Sequence, residues 1–379
     1  MSNKIKTSWE RNAMAKRRIT RRSVLKGGIA IAATPIVYAT LSDRLAAQGR
    51  PVTKVLDFMT AADVAKAEAE GEFTFYSHDS EPAIAGILEA FSKDFPKIKG
   101  KYVRAQTGTL YSRTIAERSA NKFTADVIQF SELTTAADFQ KRSGYQNYIS
   151  PEAEHYSPEH MSDPPGNYFW VGVTFAGLSY NTEKVKPEDA PKSWKDMTKP
   201  IWLNATNVKM SNSGMQFVQW YELRKLYGDA FWSEFAKVRP RGFDSRAQQF
   251  ERLAKGDDKL CALAEYAGYL LVKQKGAPVE FVAPTDGLPA TPALCGIADR
   301  APNPEAARLF IDWQMSTRGQ THQQTNQFLY YGSMRKGAPP MPGGWRLSDF
   351  KLLTPNKEMD KFVASRDAFN KEWNAMLGL

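Results

Sequence analysis

Residues 71–95 read GEFTFYSHDSEPAIAGILEAFSKDF. Phe73–Tyr76 is a short β-type run, and Pro82–Phe95 carries apolar residues at helical spacing until Pro96 stops it. The same unit repeats downstream. Lys101–Val103 reads as a strand and Leu110–Ala120 as a helix, then Ala125–Phe130 (ADVIQF) as a strand and Thr134–Arg142 as a helix. Strands alternating with helices in units of about 30 residues predict a parallel sheet covered by helices on both faces.

Outward from this block, Phe169–Tyr180 (FWVGVTFAGLSY) is longer and more apolar than the other strands. A loop-rich stretch with Trp194 and Trp202 follows it. A second α/β set then spans helices at Gly214–Tyr227, Asp229–Val238 and Ser245–Ala254, a strand at Leu260–Ala264 and a helix at Tyr266–Lys275. Val279–Val282 is again strand-like. NPEAARLFIDWQMST begins a helical stretch with Asn303 as cap and Pro304 at the first helical position. Upstream, Gln48–Gly71 reads as a linker and then a helix capped by Thr60. Two α/β halves joined by two extended crossings predict a bilobed chain with a cleft. The crossings fall near Val171–Tyr180 and Val279–Gly287.

The chain has 379 residues, 42% of them hydrophobic, which excludes a disordered chain or a disulfide-stapled miniprotein. The formal net charge is +10, and the charge is concentrated at the start. Residues 1–39 carry nine Lys or Arg against the single acid Glu10, so the remainder is close to +2. An uncharged run, GGIAIAATPIVYATL at Gly27–Leu41, follows the basic stretch and is too short to span a bilayer. Basic region, short apolar region and small-residue exit describe a signal peptide. Thr20-Arg21-Arg22-Ser23-Val24-Leu25-Lys26 fits the twin-arginine export pattern, with Arg21 and Arg22 as its pair. Cleavage falls after Ala39 or after Ala47. Removing the leader also removes the support for a nucleic-acid partner.

Cys261 and Cys295 are too few for a disulfide framework, an iron–sulfur centre or a zinc site. They either pair or remain two buried thiols. No HExxH, G-x-S-x-G, P-loop or G-x-G-x-x-G after the first strand is present, which argues against an enzyme. An exported cofactor-containing oxidoreductase is the rival class.

Ligands of open parallel sheets sit outside the carboxyl ends of the strands. That rule selects Ser77, His78 and Asp79, then Ser131 and Glu132, then Glu265 and Tyr266. The helix starts at Thr107-Gly108-Thr109 and Ser213-Gly214 could hold an anion or serve as plain caps. Asp79, Glu132, Asp244 and Glu265 suit a cationic amine, with Trp170, Trp194 and Trp202 available for cation–π stacking. Arg104, Arg113 and Arg246 suit an anion.

With RAQTGTLYSRTIAERSANKFTADVIQFSEL, GLSYNTEKV, APKSWKDMTKPIW, NSGMQF, FDSRAQQFERLAKGD and NPEAARLFIDWQMSTRGQ in this order, the chain resembles the bacterial extracellular solute-binding proteins of ABC importers. The ferric-iron-type subgroup, with its relatives for polyamines, thiamine and phosphorylated small molecules, is the most similar. The resemblance implies a two-lobed, type II-like periplasmic fold, a monomer that closes over a small solute and an inner-membrane permease as partner. It implies no catalysis and no cofactor beyond a ferric ion carried as cargo. The twin-arginine translocase would be a partner during export. Implied lobes are 71–175 plus 285–379 and 176–284, after a leader at 1–39 and a linker with a helix at 40–70.

Residue by residue, the resemblance places ligand contacts at His78, Glu132, Ser213, Gly214, Asp244 and Tyr266, and the strand ends and the helix start add Ser77, Asp79 and Thr107 to the expected ligand-binding set. For a ferric cargo the metal contacts are His78, Glu132 and Tyr266. The subgroup has two adjacent tyrosines where this chain has Tyr266-Ala267, with Tyr269 three residues on; Tyr330-Tyr331 falls elsewhere in the pattern. The expected solute is a ferric ion, a ferric–anion complex or a small organic anion, with a polyamine-like amine as the alternative.

Overall fold

The computed structural model describes residues 43, 45, 46 and 48–379; the export signal and both cleavage sites lie outside the described residues. No helix among the described residues is long and apolar enough to cross a membrane.

The N-terminal part is a hairpin, β1 (Thr53–Val55) with β2 (Phe58–Thr60), then α1 (Val64–Glu70). The stretch expected to be a linker is therefore partly sheet. Thr60 does not cap the helix, because its hydroxyl donates to the Asp312 carboxylate at 2.6 Å. Asp63 caps instead, accepting from the Lys66 amide at 3.0 Å.

The alternating block forms β3 (Glu72–Ser77), α2 (Glu81–Asp94), β4 (Lys99–Arg104), α3 (Thr107–Ser119), β5 (Val127–Phe130) and α4 (Leu133–Lys141). In α2, Pro82 sits in the first turn, and Ala83, Ile84, Ile87, Leu88 and Phe91 form one buried stripe. The long apolar run is β6 (Phe169–Asn181), buried on both faces along most of its length. That double burial is why it reads as a continuous apolar segment and not as an alternating one.

Beyond it lie β7 (Thr206–Lys209), α5 (Gly214–Tyr227), α6 (Ala230–Ala236), β8 (Arg241–Phe243), α7 (Arg246–Lys255) and β9 (Leu260–Glu265). The chain continues through α8 (Tyr266–Lys273), β10 (Val279–Val282) and β11 (Leu288–Ile297) to α9 (Pro304–Met315) and α10 (Thr317–Thr325). It ends with β12 (Leu352–Leu353), α11 (Met359–Ala364) and α12 (Arg366–Leu377).

The main sheet runs β4-β3-β5-β11-β6-β9-β7-β8, with β10 on β6 and β12 on β11. It is parallel at its two ends, β4-β3-β5 and β9-β7-β8, and where the short β12 joins β11. In the middle β11 runs antiparallel to β5 and β6, and β6 antiparallel to β9 and β10. The wholly parallel sheet read from the alternation is thus a mixed one. The physical reason is connectivity: β6 carries the chain out of the first half and β11 brings it back, so the two crossings run in opposite directions. Residues 169–175 of β6 pair with β11, and its last residues pair with β9 and β10.

Each half has a core of its own, and a further buried cluster joins Tyr76, Phe130 and Phe175 to Tyr266 and Leu270 of α8. Phe73 and Phe310 both pack on Phe91, with ring centroids 5.6 and 5.2 Å away, under α2 and α9. The second half buries Trp194, Trp202, Trp220 and Trp232 together with Phe369 and Trp373. The C-terminal helix, expected with the first lobe, packs on α5 instead, and Trp373 Nε1 donates to the Lys209 carbonyl at 2.8 Å. Cys261 and Cys295 are unpaired, buried and in different clusters.

Candidate functional site

Two groups of side chains gather at the carboxyl ends of the parallel strands. The first follows β3. Asp79 is buried, and its Oδ2 accepts from Gln129 Nε2 at 2.6 Å while Oδ1 accepts from the Tyr331 hydroxyl. His78 Nδ1 lies 3.2 Å from Asp79 Oδ1, and its Nε2 is buried without a partner. Burial pushes the Asp79 carboxyl up, but His78, Tyr331 and Gln129 together hold it below the usual carboxylate range. Ser77, also buried, accepts from the Asp79 amide at 3.2 Å and fixes the turn.

Thr107 lies beside this group. Its Oγ1 is 2.9 Å from Ser131 Oγ and accepts from the Ser131 amide at 3.1 Å, so it joins the start of α3 to the end of β5. Its hydroxyl already has protein partners.

The second group follows β7, β8 and β9. Lys209 ends β7, is 8% exposed, and its ammonium donates to the Asp244 carbonyl. Burial pushes that ammonium down from its ordinary range, and Glu265 opposes the shift. The Asp244 carboxylate is exposed and accepts from Asn212 Nδ2 at 2.9 Å. Arg246 Nη1 meets Glu265 Oε2 at 3.1 Å. Ser213 caps α5, accepting from the Gln216 amide at 3.3 Å. Gly214 is exposed, and even an added Cβ there would meet nothing within 4 Å.

The groups are electrostatically linked. Arg246 acts on the Tyr331 phenol, which burial, the largest cause, and Asp79 raise well above its ordinary range. Glu132, exposed at the start of α4, attracts Arg366 of α12, a guanidinium that burial pushes down. Arg366 Nη2 in turn donates to the Ser211 carbonyl at 3.3 Å beside the α5 start.

Tyr266 stands apart. It is buried among Phe175, Trp345 and Phe281, and its hydroxyl donates to the Pro342 carbonyl. His78, Glu132 and Tyr266 share no hydrogen bond or ion pair in this arrangement. Among the described residues no three His, Cys, Asp or Glu side chains converge as a metal site.

The tryptophans offered for cation–π stacking are enclosed. Trp194 and Trp202 donate their indole N–H groups to the Gly287 and Asp196 carbonyls, and Trp170 packs on His160. Arg113 pairs with Glu117, and Arg104 donates to the Asp79 carbonyl.

Lys209, Arg366, Gln129 and Tyr331 were not legible as site residues. Lys209 closes TNVK, a short polar strand with no alternation. The signal that would have found it is position alone, a lysine just before the Ser213 cap.

Iron uptake protein A1 of Synechocystis is 25% identical to this chain over 251 residues, covering 62% of this chain and 68% of the relative. The fold is similar to that of iron-bound HitA from Pseudomonas aeruginosa, at 20% identity and a TM-score of 0.64 over 79% of this chain and 99% of that one. It is also similar to AfuA from Actinobacillus pleuropneumoniae with exogenous fructose-6-phosphate bound, at 20% identity and a TM-score of 0.62 over 82% and 99%. These are two-lobed periplasmic binding proteins, and the fold described above is theirs. Residues 124–343, more than half of the chain, match one family over a stretch that includes β5 to β9 and Tyr331, and by that match the chain belongs to the bacterial extracellular solute-binding proteins.

Proposed function

We propose that this solute-binding protein captures a small organic anion, a carboxylate or phosphate ester, between its two lobes and delivers it to an inner-membrane permease of an ABC importer. The observation that carries the ligand class is Lys209. An ammonium buried to this degree with only a backbone carbonyl as its recorded acceptor keeps donors free for a charged ligand. Arg246 and Arg366 each lie near a carboxylate, Glu265 and Glu132, and the open backbone at Gly214 adds the positive end of α5. Closure would bend β6 and β11. Residues 71–175 and 285 onward form one lobe and 176–284 the other, with the C-terminal helices riding on the second.

A ferric ion or ferric–anion cargo is the second reading, favoured by the unpartnered Nε2 of His78 and by the iron named for two relatives. An amine is not favoured, because the tryptophans that would stack on it are enclosed. The protein acts as a monomer and reaches the periplasm through the twin-arginine translocase; replacing Arg21 and Arg22 together by Lys should leave it in the cytoplasm.

A thermal-shift screen tests the ligand class. An anion at 100 times its dissociation constant should add about 2.7 kcal/mol of stability. Stabilisation by ferric citrate or a polyamine alone, with no response to phosphate esters or carboxylates, overturns the anion reading.

A further inference from the structure

Residues 326–346 leave α10 and cross the middle of the molecule, where they touch both halves through tyrosine hydroxyls. On the first half, Tyr331 donates to Asp79 at the end of β3. Its ring fills the space beside Gly172 of β6, where an added Cβ would lie 2.5 Å from Tyr331 Cδ2. Gly332 exchanges both backbone hydrogen bonds with Val173, at 2.8 and 3.0 Å, and so joins the crossing strand.

On the second half, both ties go to α8 and its end. Tyr330 donates to Gln274 Oε1 at 3.0 Å, and Tyr266 donates to the Pro342 carbonyl. Trp345 packs edge-on to the Tyr266 ring at 4.9 Å and near-parallel to Phe281 at 6.3 Å. The adjacent tyrosines reach different halves from a backbone held at a φ of 46° at Tyr330, a conformation that a bulky residue rarely adopts.

The geometry points to a tether: the strap from Tyr330 to Trp345 spans the two halves and sets the resting separation of the lobes. The inference rests on the two-lobed capture reading above. A lobe motion that shifts α8 relative to Val173, where the strap is anchored, strains the two phenol bonds by which the strap holds α8. A ligand that closes the lobes therefore works against or with this tether, and the tether biases affinity without touching the ligand.

The test uses the full chain with spin labels at Glu89→Cys on α2 and Glu251→Cys on α7, both exposed. The native cysteines are buried and do not compete for label. Pulsed dipolar distances are measured without ligand for the parent, Tyr266→Phe, Tyr330→Phe and the double variant. Tyr269→Phe is the control, since its hydroxyl meets Glu280 within the second half at 3.3 Å. The expected result is a longer and broader distance distribution in the double variant, a partial change in each single variant and none in the control. A double variant that retains the parent's melting temperature and its distance distribution overturns the tether. Tyr330→Phe, whose lost bond reaches an exposed partner, keeps the test readable if the Tyr266 change impairs folding. A parent whose distance stays fixed with every anion, ferric citrate and amine added overturns the capture reading, and the tether with it. A parent that closes with ligand while the double variant matches it at rest overturns the tether alone.

Discussion

The Tyr331 hydroxyl donates to Oδ1 of Asp79, joining a residue at the end of the first strand of the alternating block to one near the end of the chain. Gln129 occupies the other carboxylate oxygen at 2.6 Å. A buried carboxylate with this many donors is stable only as an acceptor. Asp79→Asn would turn an NH2 group toward Tyr331 or Gln129 and leave a donor unpaired, at a cost of about 1–3 kcal/mol. The melting temperature of Asp79→Asn should fall, and the loss should shrink at low pH. Because the folded carboxyl titrates below its unfolded value, its contribution is present above the unfolded range and disappears as pH falls through the folded one. An unchanged melting temperature at neutral pH would show that the pair contributes nothing.

Asp312 behaves in the opposite sense. Burial pushes its carboxyl up to about 7, against the hydrogen bonds it accepts from Thr60, Tyr148 and the Ala61 amide. Here the folded value lies above the unfolded one. The contribution is therefore complete below about pH 4 and is lost as pH rises through 7. For one proton the slope is at most about 1.4 kcal/mol per pH unit. In Asp312→Asn the three donors still reach the retained oxygen, while the new NH2 replaces Oδ1, which has no partner. Chemical denaturation between pH 4 and 8 should give a flatter stability profile for Asp312→Asn than for the parent. Parallel profiles would show that Asp312 does not titrate in this window.

Lys209 separates the two ligand readings. Replacing it by Met keeps the stem packed and removes the charge. A charge-assisted hydrogen bond is worth about 1.5–3 kcal/mol, so an anion bound there should weaken by roughly 10- to 150-fold. Glu132→Gln should leave the same affinity nearly unchanged, since Glu132 is exposed and its carboxylate accepts from the Thr135 hydroxyl at 3.1 Å. Calorimetric titration with whichever solute the thermal screen selects would check both. A ferric cargo reverses the order, with Glu132→Gln damaging and Lys209→Met mild.

The elements legible in the sequence carry strong periodicity or a clear cap. The helix at 81–94 has an apolar stripe, and the helix at 214–227, buried all round over residues 215–223, is marked by its Ser213 cap. Short polar strands were not legible. TNVK and RGF take strand geometry through pairing, TNVK between β9 and RGF in the sheet. Thr60 was misread as a cap for a similar reason: its hydroxyl is claimed by Asp312, a residue 252 positions away. The site shows the same division. Positions set by strand ends, His78, Asp79 and Glu265, lie where the rule for open sheets puts them. Tyr331 and Arg366 reach the site from C-terminal segments, and nothing in their local sequence marks them.

The crossing strand supplies a last prediction, on the fold itself. Gly177 lies where β6 passes from its pairing with β11 to its pairing with β9 and β10. A Cβ at this position would approach the Val282 carbonyl oxygen to 2.3 Å and the Phe281 ring to 2.6 Å. The first of these is backbone held in the β10 ladder, so it cannot swing aside as a flexible side chain would. Gly177→Ala should therefore push β10 away from β6 and cost about 1–3 kcal/mol, the usual range for overpacking a closed site. Gly214→Ala is the matched control, since its Cβ meets nothing within 4 Å. Hydrogen exchange would locate the damage: amides of 178–181 and 279–282 should lose protection in Gly177→Ala and keep it in Gly214→Ala. Equal protection in the two variants would mean that the pairing of β6 with β10 tolerates a wider spacing, and that the glycine is not what allows this crossing to close.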